Sequence, residues 1–489
     1  MTARRAALIL CSMLPVAVCL TACGALSFGG MASRQSDTVR HLVILYTNDE
    51  HGWMEPYQKT GGAAGLARLW KRQEGLGEKQ NLLVLSGGDM WTGPALSSAL
   101  QGESMADVLN AMGYAAAAIG NHDFDFGIEA LKDRRAQSSF PFLAANLHDR
   151  ATGELPDFAE PYLLTEVNGI KVGVIGLTTI EARIDTNPTY VAGLDFLPYR
   201  DVLPGVAAEA RAAGAELLIV IGHLCVSETR ALAPLASELG IPIIGGGHCH
   251  EEIQETVDGV LLVESGYFFR GYKRIELLFD TRLDQVVELQ ADQIPNGGSR
   301  ADPALSAMIE GWRARTDPGL WEVIGYTDRQ ISRDTPEMAA LLLEPWLMAR
   351  PEADVALADI RYVQQDLFPG EITVASIWGL LPTTNELVQV ELAGGQLIEL
   401  IESRRPLVAG MTTESEYHLR DGEPIDRNAV YRILVSDSLY AGGNYFELFR
   451  QDPDPIYLDQ DWRLPAIDWI RSLRTSRDRP IGDLLAVPP

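Results

Sequence analysis

His41-Leu42-Val43-Ile44-Leu45-Tyr46-Thr47-Asn48-Asp49-Glu50-His51 is the stretch from which the fold is read. A short apolar, β-branched-rich run reads as a buried strand. This one ends in a carboxylate and an imidazole two residues apart. Strand-like runs that end in oxygen or nitrogen donors recur four times downstream. Gly88-Asp89 follows the strand-like run Asn81–Ser86, and Gly120-Asn121-His122-Asp123-Phe124-Asp125 follows Tyr114–Ile119. Gly222-His223 follows Glu216–Ile221, and Gly247-His248-Cys249-His250 follows Ile241–Ile244. An α/β fold builds its site at such strand ends, and this set of oxygen and nitrogen donors suits two metal ions better than one.

Working outward, Lys171–Leu177 reads as a further strand, and Val260–Glu264 and Arg274–Phe279 as later ones that make the sheets mixed. Helical periodicity separates them at Ala63–Gln73, Ser104–Met112, Gly127–Gln137 and Ser227–Glu238. Alternation of this kind is the α/β pattern. Pro295-Asn296-Gly297-Gly298 breaks the chain, a helix over Pro303–Thr316 follows, and a second α/β unit starts at Val323. That unit contains the candidate elements Pro336–Met348, Asp354–Leu357, Leu387–Glu391, Gly395–Arg404, Val430–Ser436 and Leu464–Leu473. The expected organisation is a leader over 1–22, a tether over 23–40, a first α/β domain over 41–292, a linker with a helix over 293–322 and a second α/β domain over 323–489.

The leader has Arg4 and Arg5, an apolar Ala6–Leu20 and then Leu20-Thr21-Ala22-Cys23-Gly24, which looks like a bacterial lipobox. An ordinary secretory signal or an N-terminal anchor are the alternatives, but the apolar run is short for a membrane span. Lipidation of Cys23 would tether an exported protein to a membrane through the Gly- and Ser-containing segment that follows. Net charge is −27 over 489 residues, and loss of Arg4 and Arg5 with the acid-free leader takes it to −29. Such a surface repels nucleic-acid polymers, so an anionic small substrate needs a local positive focus, which bound metal ions supply. Cys11 and Cys19 leave with the leader. Cys225 and Cys249 remain, either as a disulfide or as packed thiols.

Each motif also has an ordinary reading: Asp49 as an Asx turn, Asp89 as a loop carboxylate, Asp125 as a helix cap, a lone histidine as a core residue. Five such motifs at successive strand ends favour a dinuclear site of Zn, Mn, Co or Fe. Asn121 offers a neutral carbonyl oxygen. His122, its neighbour, is better placed toward substrate, with Asp125 holding the imidazole protonated and oriented.

The order D-x-H, G-D, G-N-H-D, G-H and G-H-x-H resembles the calcineurin-like metallophosphoesterases. Leu45–Asp49, Gly120–Asp125, Phe142–Leu147 and Lys171–Thr179 look more narrowly like their 5'-nucleotidase branch, which includes UDP-sugar hydrolases and 2',3'-cyclic-nucleotide phosphodiesterases. The resemblance implies a two-sheet sandwich flanked by helices, followed by a nucleotidase C-terminal α/β domain. It implies Asp49, His51, Asp89 and His250 at one ion and Asp89, Asn121, His223 and His248 at the other, with Asp89 bridging. It makes His122 and Asp125 the catalytic pair. His250 stands where several nucleotidases have Gln or Asn.

In the second unit, Ser376–Leu397 and Asp437–Phe446 resemble the nucleotidase substrate-binding segments. That places Arg361, Arg333, Tyr440, Gly442 and Gly443 at the substrate. Ala356–Asp359 replaces the Asn and glycines expected before Arg361, Thr383 stands for a base-stacking phenylalanine, and Asn444 for an aspartate. A base clamp stacks aromatics on both faces, and here at least one face is missing. The reading is therefore a phosphoester hydrolase of nucleotide-like substrates outside the cytoplasm. The alternatives are a hydrolase of a cyclic nucleotide, UDP-sugar or thiosulfonate, and a non-catalytic binding lipoprotein, against which the complete ligand set argues.

Overall fold

Alternation of core-facing side chains decides the first half of the fold. In a computed structural model, which describes residues 38–58, 60–297, 300–412 and 416–485, successive residues of Val39–Thr47 enter two different cores. Leu42, Ile44 and Tyr46 point one way, and Val43 and Leu45 the other. A strand apolar on both faces must be covered on both, and it is. The leader, Cys23 and most of the tether lie outside the described residues.

Two six-stranded sheets pack face to face. One runs, in spatial order, Gln285–Pro295, Gly271–Asp280, Val39–Thr47, Leu82–Ser86, Ala116–Ala118, Phe142–Leu143. The other runs Glu252–Val257, Val260–Ser265, Ile243–Gly245, Leu217–Gly222, Ile170–Leu177, Tyr162–Val167. The central strands are parallel, so their C-terminal ends share one edge. Antiparallel strands close the flanks. Leu42, Ile44 and Tyr46 meet Val172, Val174, Ile219 and Ile221 between the sheets.

The outer face of the first sheet is covered by the helices Gly62–Leu69 and Glu103–Met112, and that of the second by Tyr199–Ala212 and Val226–Glu238. Each fully buried Leu, Ile or Val contributes about 1.5–3 kcal/mol.

The strand Gln285–Pro295 ends at the Pro295-Asn296-Gly297-Gly298 signal, so the boundary expected at 292/293 falls inside it by a few residues; beyond it Asn296 donates to the Gly62 and Phe269 carbonyls. The following helix, Pro303–Arg315, places Leu305, Ile309 and Trp312 in the same core as Trp70 and Leu109, so it is packed rather than free-standing.

From Val323 onward a five-stranded mixed sheet forms, ordered Leu407–Ala409, Val355–Ala358, Val430–Ser436, Glu386–Ala393, Ile456–Asp461. Helices Pro336–Ala349, Gly394–Arg404 and Leu464–Leu473 cover it around Trp346 and Trp462.

Candidate dinuclear metal centre

The parallel strands deliver Asp49, Asp89, Asn121, His223, His248 and His250 to one edge of the sandwich, as the motif spacing implied. Asp49, His51 and His250 form one cluster of donor atoms, and Asp89, His223 and His248 a second; within each, the donors lie within 4.8 Å of one another. Asp89 Oδ2 lies 3.0 Å from His223 Nε2 and 3.6 Å from His51 Nε2, so one oxygen faces both clusters. Asn121 Oδ1 approaches His223 Nε2 at 3.1 Å, while its Nδ2 donates to the Asp185 carbonyl, which fixes the oxygen toward the site.

Backbone geometry shows how closely these loops are constrained. Asp49, His51, Asp89, His248 and His250 all have φ between 48° and 74°. Non-glycine residues persist in that region only where their surroundings over-determine them, and they gather at functional sites. Gly120 lies so close to Asp89 that a Cβ there would stand 2.1 Å from Asp89 Oδ1, so only glycine fits.

The donor chemistry suits metal ions. His51 Nδ1 sits 2.8 Å from the Thr92 carbonyl and His223 Nδ1 2.9 Å from the Gly87 carbonyl. A carbonyl only accepts, so Nδ1 carries hydrogen in both and Nε2 is left to face an ion. Burial opposes ionisation of Asp49, yet His250 and His223 hold it down to about 2. Asp89 is likewise held well below its ordinary range, against its burial, by His223 and His122. His223 is lifted to about 10, because Asp89 and Asp49 outweigh its burial; to hold a cation, its Nε2 would have to give up that proton. Burial dominates at His51 and pushes it down to about 3.

His122 Nδ1 lies 2.7 Å from Asp125 Oδ2, and Thr186 donates to the other Asp125 oxygen at 2.9 Å. Burial would lower His122, but Asp125 and Asp89 together raise it to about 9. Its ring centroid is 5.3 Å from that of His51, beside the clusters.

Several contributors gave no usable signal in the sequence. Asp123, inside the quoted motif, accepts from the backbone of Asp89, Met90 and Gly120, pinning two ligand loops. Burial and Asp89 push it up to about 7. Asp185 lies 3.6 Å from His248 Nε2, and Tyr267 stacks on His250 with centroids 4.8 Å apart. Cys225 and Cys249 form a disulfide across 5.2 Å between Cα atoms, which decides between the two readings left open for them.

The second half meets this edge through Arg361. Its Nη1 is 3.9 Å from Asp185 Oδ1, but its Nε and Nη2 bind Asp359 at 3.0 and 2.9 Å, and Nη2 also donates to the Asn444 carbonyl. Tyr445 hydrogen-bonds Glu181 across the same cleft. Gly443 packs against the Tyr362 hydroxyl and Ser438, and Gly442 adopts φ 109°. The Arg333 side chain donates to the Val363 carbonyl at 3.5 Å, and its backbone N–H to Asp366. Tyr440 is buried, donates to the Asp452 carbonyl and packs against Tyr457. Thr383 is buried too and accepts from Asn385.

The calcineurin-like phosphoesterase family matches residues 42–252, and the 5'-nucleotidase C-terminal domain matches residues 323–451. The chain thus carries a calcineurin-like phosphoesterase domain followed by a 5'-nucleotidase C-terminal domain. A 5'-nucleotidase of Vibrio cholerae is 25% identical over 92% of this chain and 94% of its own. A 5'-nucleotidase precursor from Thermus thermophilus shares the fold, with a TM-score of 0.77 at 20% identity over 89% of this chain and 97% of its own. The sulfate thiohydrolase SoxB from the same genus gives 0.71 at 19% identity over 90% and 96%. Calcineurin-like phosphoesterases are hydrolases that use two divalent metal ions, and the two donor clusters of this phosphoesterase domain fit that requirement.

Proposed function

We propose that this protein hydrolyses phosphate monoesters outside the cytoplasm, with nucleoside 5'-monophosphates as the first substrate class. One observation carries the reading: two donor clusters face each other across Asp89, with the His122–Asp125 pair beside them. Asp49, His51, Asp89 and His250 would hold one ion, and Asp89, Asn121, His223 and His248 the other. Bound there, the ions supply Lewis acidity and a lowered pKa for water. Asp125 fixes the His122 ring so that Nε2 presents its proton to the phosphoryl oxygens or the leaving oxygen. Thr186 keeps Asp125 from turning away. Arg361 and the loop at Gly442 and Gly443 close over the rest of the substrate.

The disulfide supports an oxidising compartment. Among the described residues no helix is long and apolar enough to cross a membrane. Lipidation at Cys23 would be one route to a membrane surface.

A second reading has a specific observation behind it. Thr383 and Tyr440, the positions nearest a base clamp, are both engaged within their own domain. That favours a smaller or non-aromatic leaving group, and the alternatives of a cyclic nucleotide or UDP-sugar stay in the test. Protein lacking residues 1–22, loaded with manganese, cobalt or zinc, is assayed for phosphate release from nucleoside monophosphates, UDP-glucose, cyclic nucleotides and an aryl phosphate. Asp89→Ala is expected to fall to the uncatalysed level. Turnover in Asp89→Ala equal to wild type would end the catalytic reading; turnover of aryl phosphate alone would end the nucleotide reading.

A further inference from the structure

We propose that Cys225 and Cys249 are positioning residues of the metal centre, and that its retention of metal depends on their being joined. The inference rests on the metal-centre reading above and goes beyond it to what holds the ligands in place.

Cys225 lies two residues after His223, and Cys249 lies between His248 and His250. The single S–S bond therefore ties the loop ending one strand to the loop ending its neighbour, and each loop brings imidazoles to the centre. Among the described residues one backbone hydrogen bond joins the same two loops, Gly247 N–H to the Leu224 carbonyl at 2.9 Å.

The ligands beside Cys249 are the ones packing holds least. The side chains of Asp49, His51, Asp89 and His223 are at most 2% exposed, whereas His248 is 18% and His250 29% exposed. His51 and His223 also have carbonyls that fix their rings. His248 and His250 instead hold φ of 74° and 58°, a conformation that needs an outside restraint. The disulfide supplies one at the residue between them. His250 belongs to one donor cluster and His248 to the other, so loosening Cys249 loosens both at once. Cys249 is itself exposed, within reach of a reductant.

Reduction by a soluble phosphine breaks the S–S bond with two electrons. Water provides the oxygen of the phosphine oxide and the two protons of the thiols. In the test, mature-length protein loaded with zinc or manganese is reduced in this way, and the phosphine is removed without air. Metal content and the rate of release to a chromogenic chelator are then measured well below the unfolding temperature, alongside circular dichroism. Hydrogen-bond partners that orient metal ligands are worth about 10- to 100-fold in metal affinity, and the covalent tie is set against that scale. We expect release to accelerate on that scale, the folded spectrum to persist, and retention to return on reoxidation. The Cys225→Ser/Cys249→Ser double variant is expected to match the reduced protein and to be insensitive to reoxidation.

Unchanged release after reduction, or loss of metal only together with the folded spectrum, overturns the proposal. Oxidised protein that binds no metal overturns the metal-centre reading as well, which separates the two failures.

Discussion

The strand-end edge of the first half and the loops that face it from the second half are constructed in opposite ways. On the edge, every candidate ligand converges, backbones accept left-handed strain to do so, and buried carbonyls fix the histidine rings. Across the cleft, polar side chains are satisfied within their own domain first: Arg361 by Asp359, Tyr440 by the Asp452 carbonyl, Thr383 by Asn385. A reaction centre tolerates little displacement, because donor distances fix its chemistry. A surface that selects substrates can trade contacts while leaving the chemistry intact.

The comparison breaks most visibly at His122. If the edge does the chemistry, His122→Ala lowers kcat by about 10²- to 10⁴-fold, the usual contribution of a positioned acid, while metal content stays at wild type. Metal lost along with rate would mean that His122 serves as a ligand instead.

On the opposite side, Arg361→Ala should raise KM by about tenfold or more, the effect of losing one charged hydrogen bond, with kcat changed less. Asp359→Ala should do the reverse and lower KM, because it frees the guanidinium. Steady-state kinetics on the best substrate decides, and parallel effects of the two variants would show that the pair acts as a unit.

Tyr440→Ala sharpens the contrast. A buried aromatic lost to alanine costs about 3–5 kcal/mol of stability. Nucleotide KM should not move, since the ring packs against Tyr457 rather than facing substrate. A rise in KM without a fall in Tm would restore Tyr440 as a clamp residue.

The smallest effect measures what the edge costs. Glu264 lies buried beneath Gly246, with neither oxygen hydrogen-bonded among the described residues. Burial first, then Asp49 and Glu251, push it from 4.5 up to about 9. The folded protein thus keeps a proton that the unfolded chain releases. Its contribution is fully present below pH 4.5 and is lost as pH rises toward 9. Glu264→Gln should flatten Tm against pH over that window and raise Tm at pH 8 by about 2–4 °C. An unaltered profile would show that the carboxyl titrates normally.

Most of the edge was legible because each ligand belongs to a local motif. An apolar run followed by Gly and a donor specifies both the strand and the point where it ends. The run over Gly127–Gln137 likewise became a helix with those bounds. Tyr162–Val167, Glu252–Val257 and Tyr199–Ala212 were not read from the sequence. The two strands are flank strands with exposed residues, and the helix carries Pro204 in its interior. Asp185 and Thr186 were not legible either. They sit on a short helical turn after Ile170–Leu177, and nothing in their spacing ties them to His248 or Asp125.

By itself, the sequence determined the donors and their strand-end placement, since hydrophobic period and turn residues act over a few neighbouring positions. The tertiary structure decided which donors cluster together, that Asp89 faces both clusters, that Cys225 meets Cys249, and that Arg361 is held by Asp359. Those facts depend on distances between segments far apart in the chain, and such distances exist only once two sheets have packed and the second half has closed over their edge.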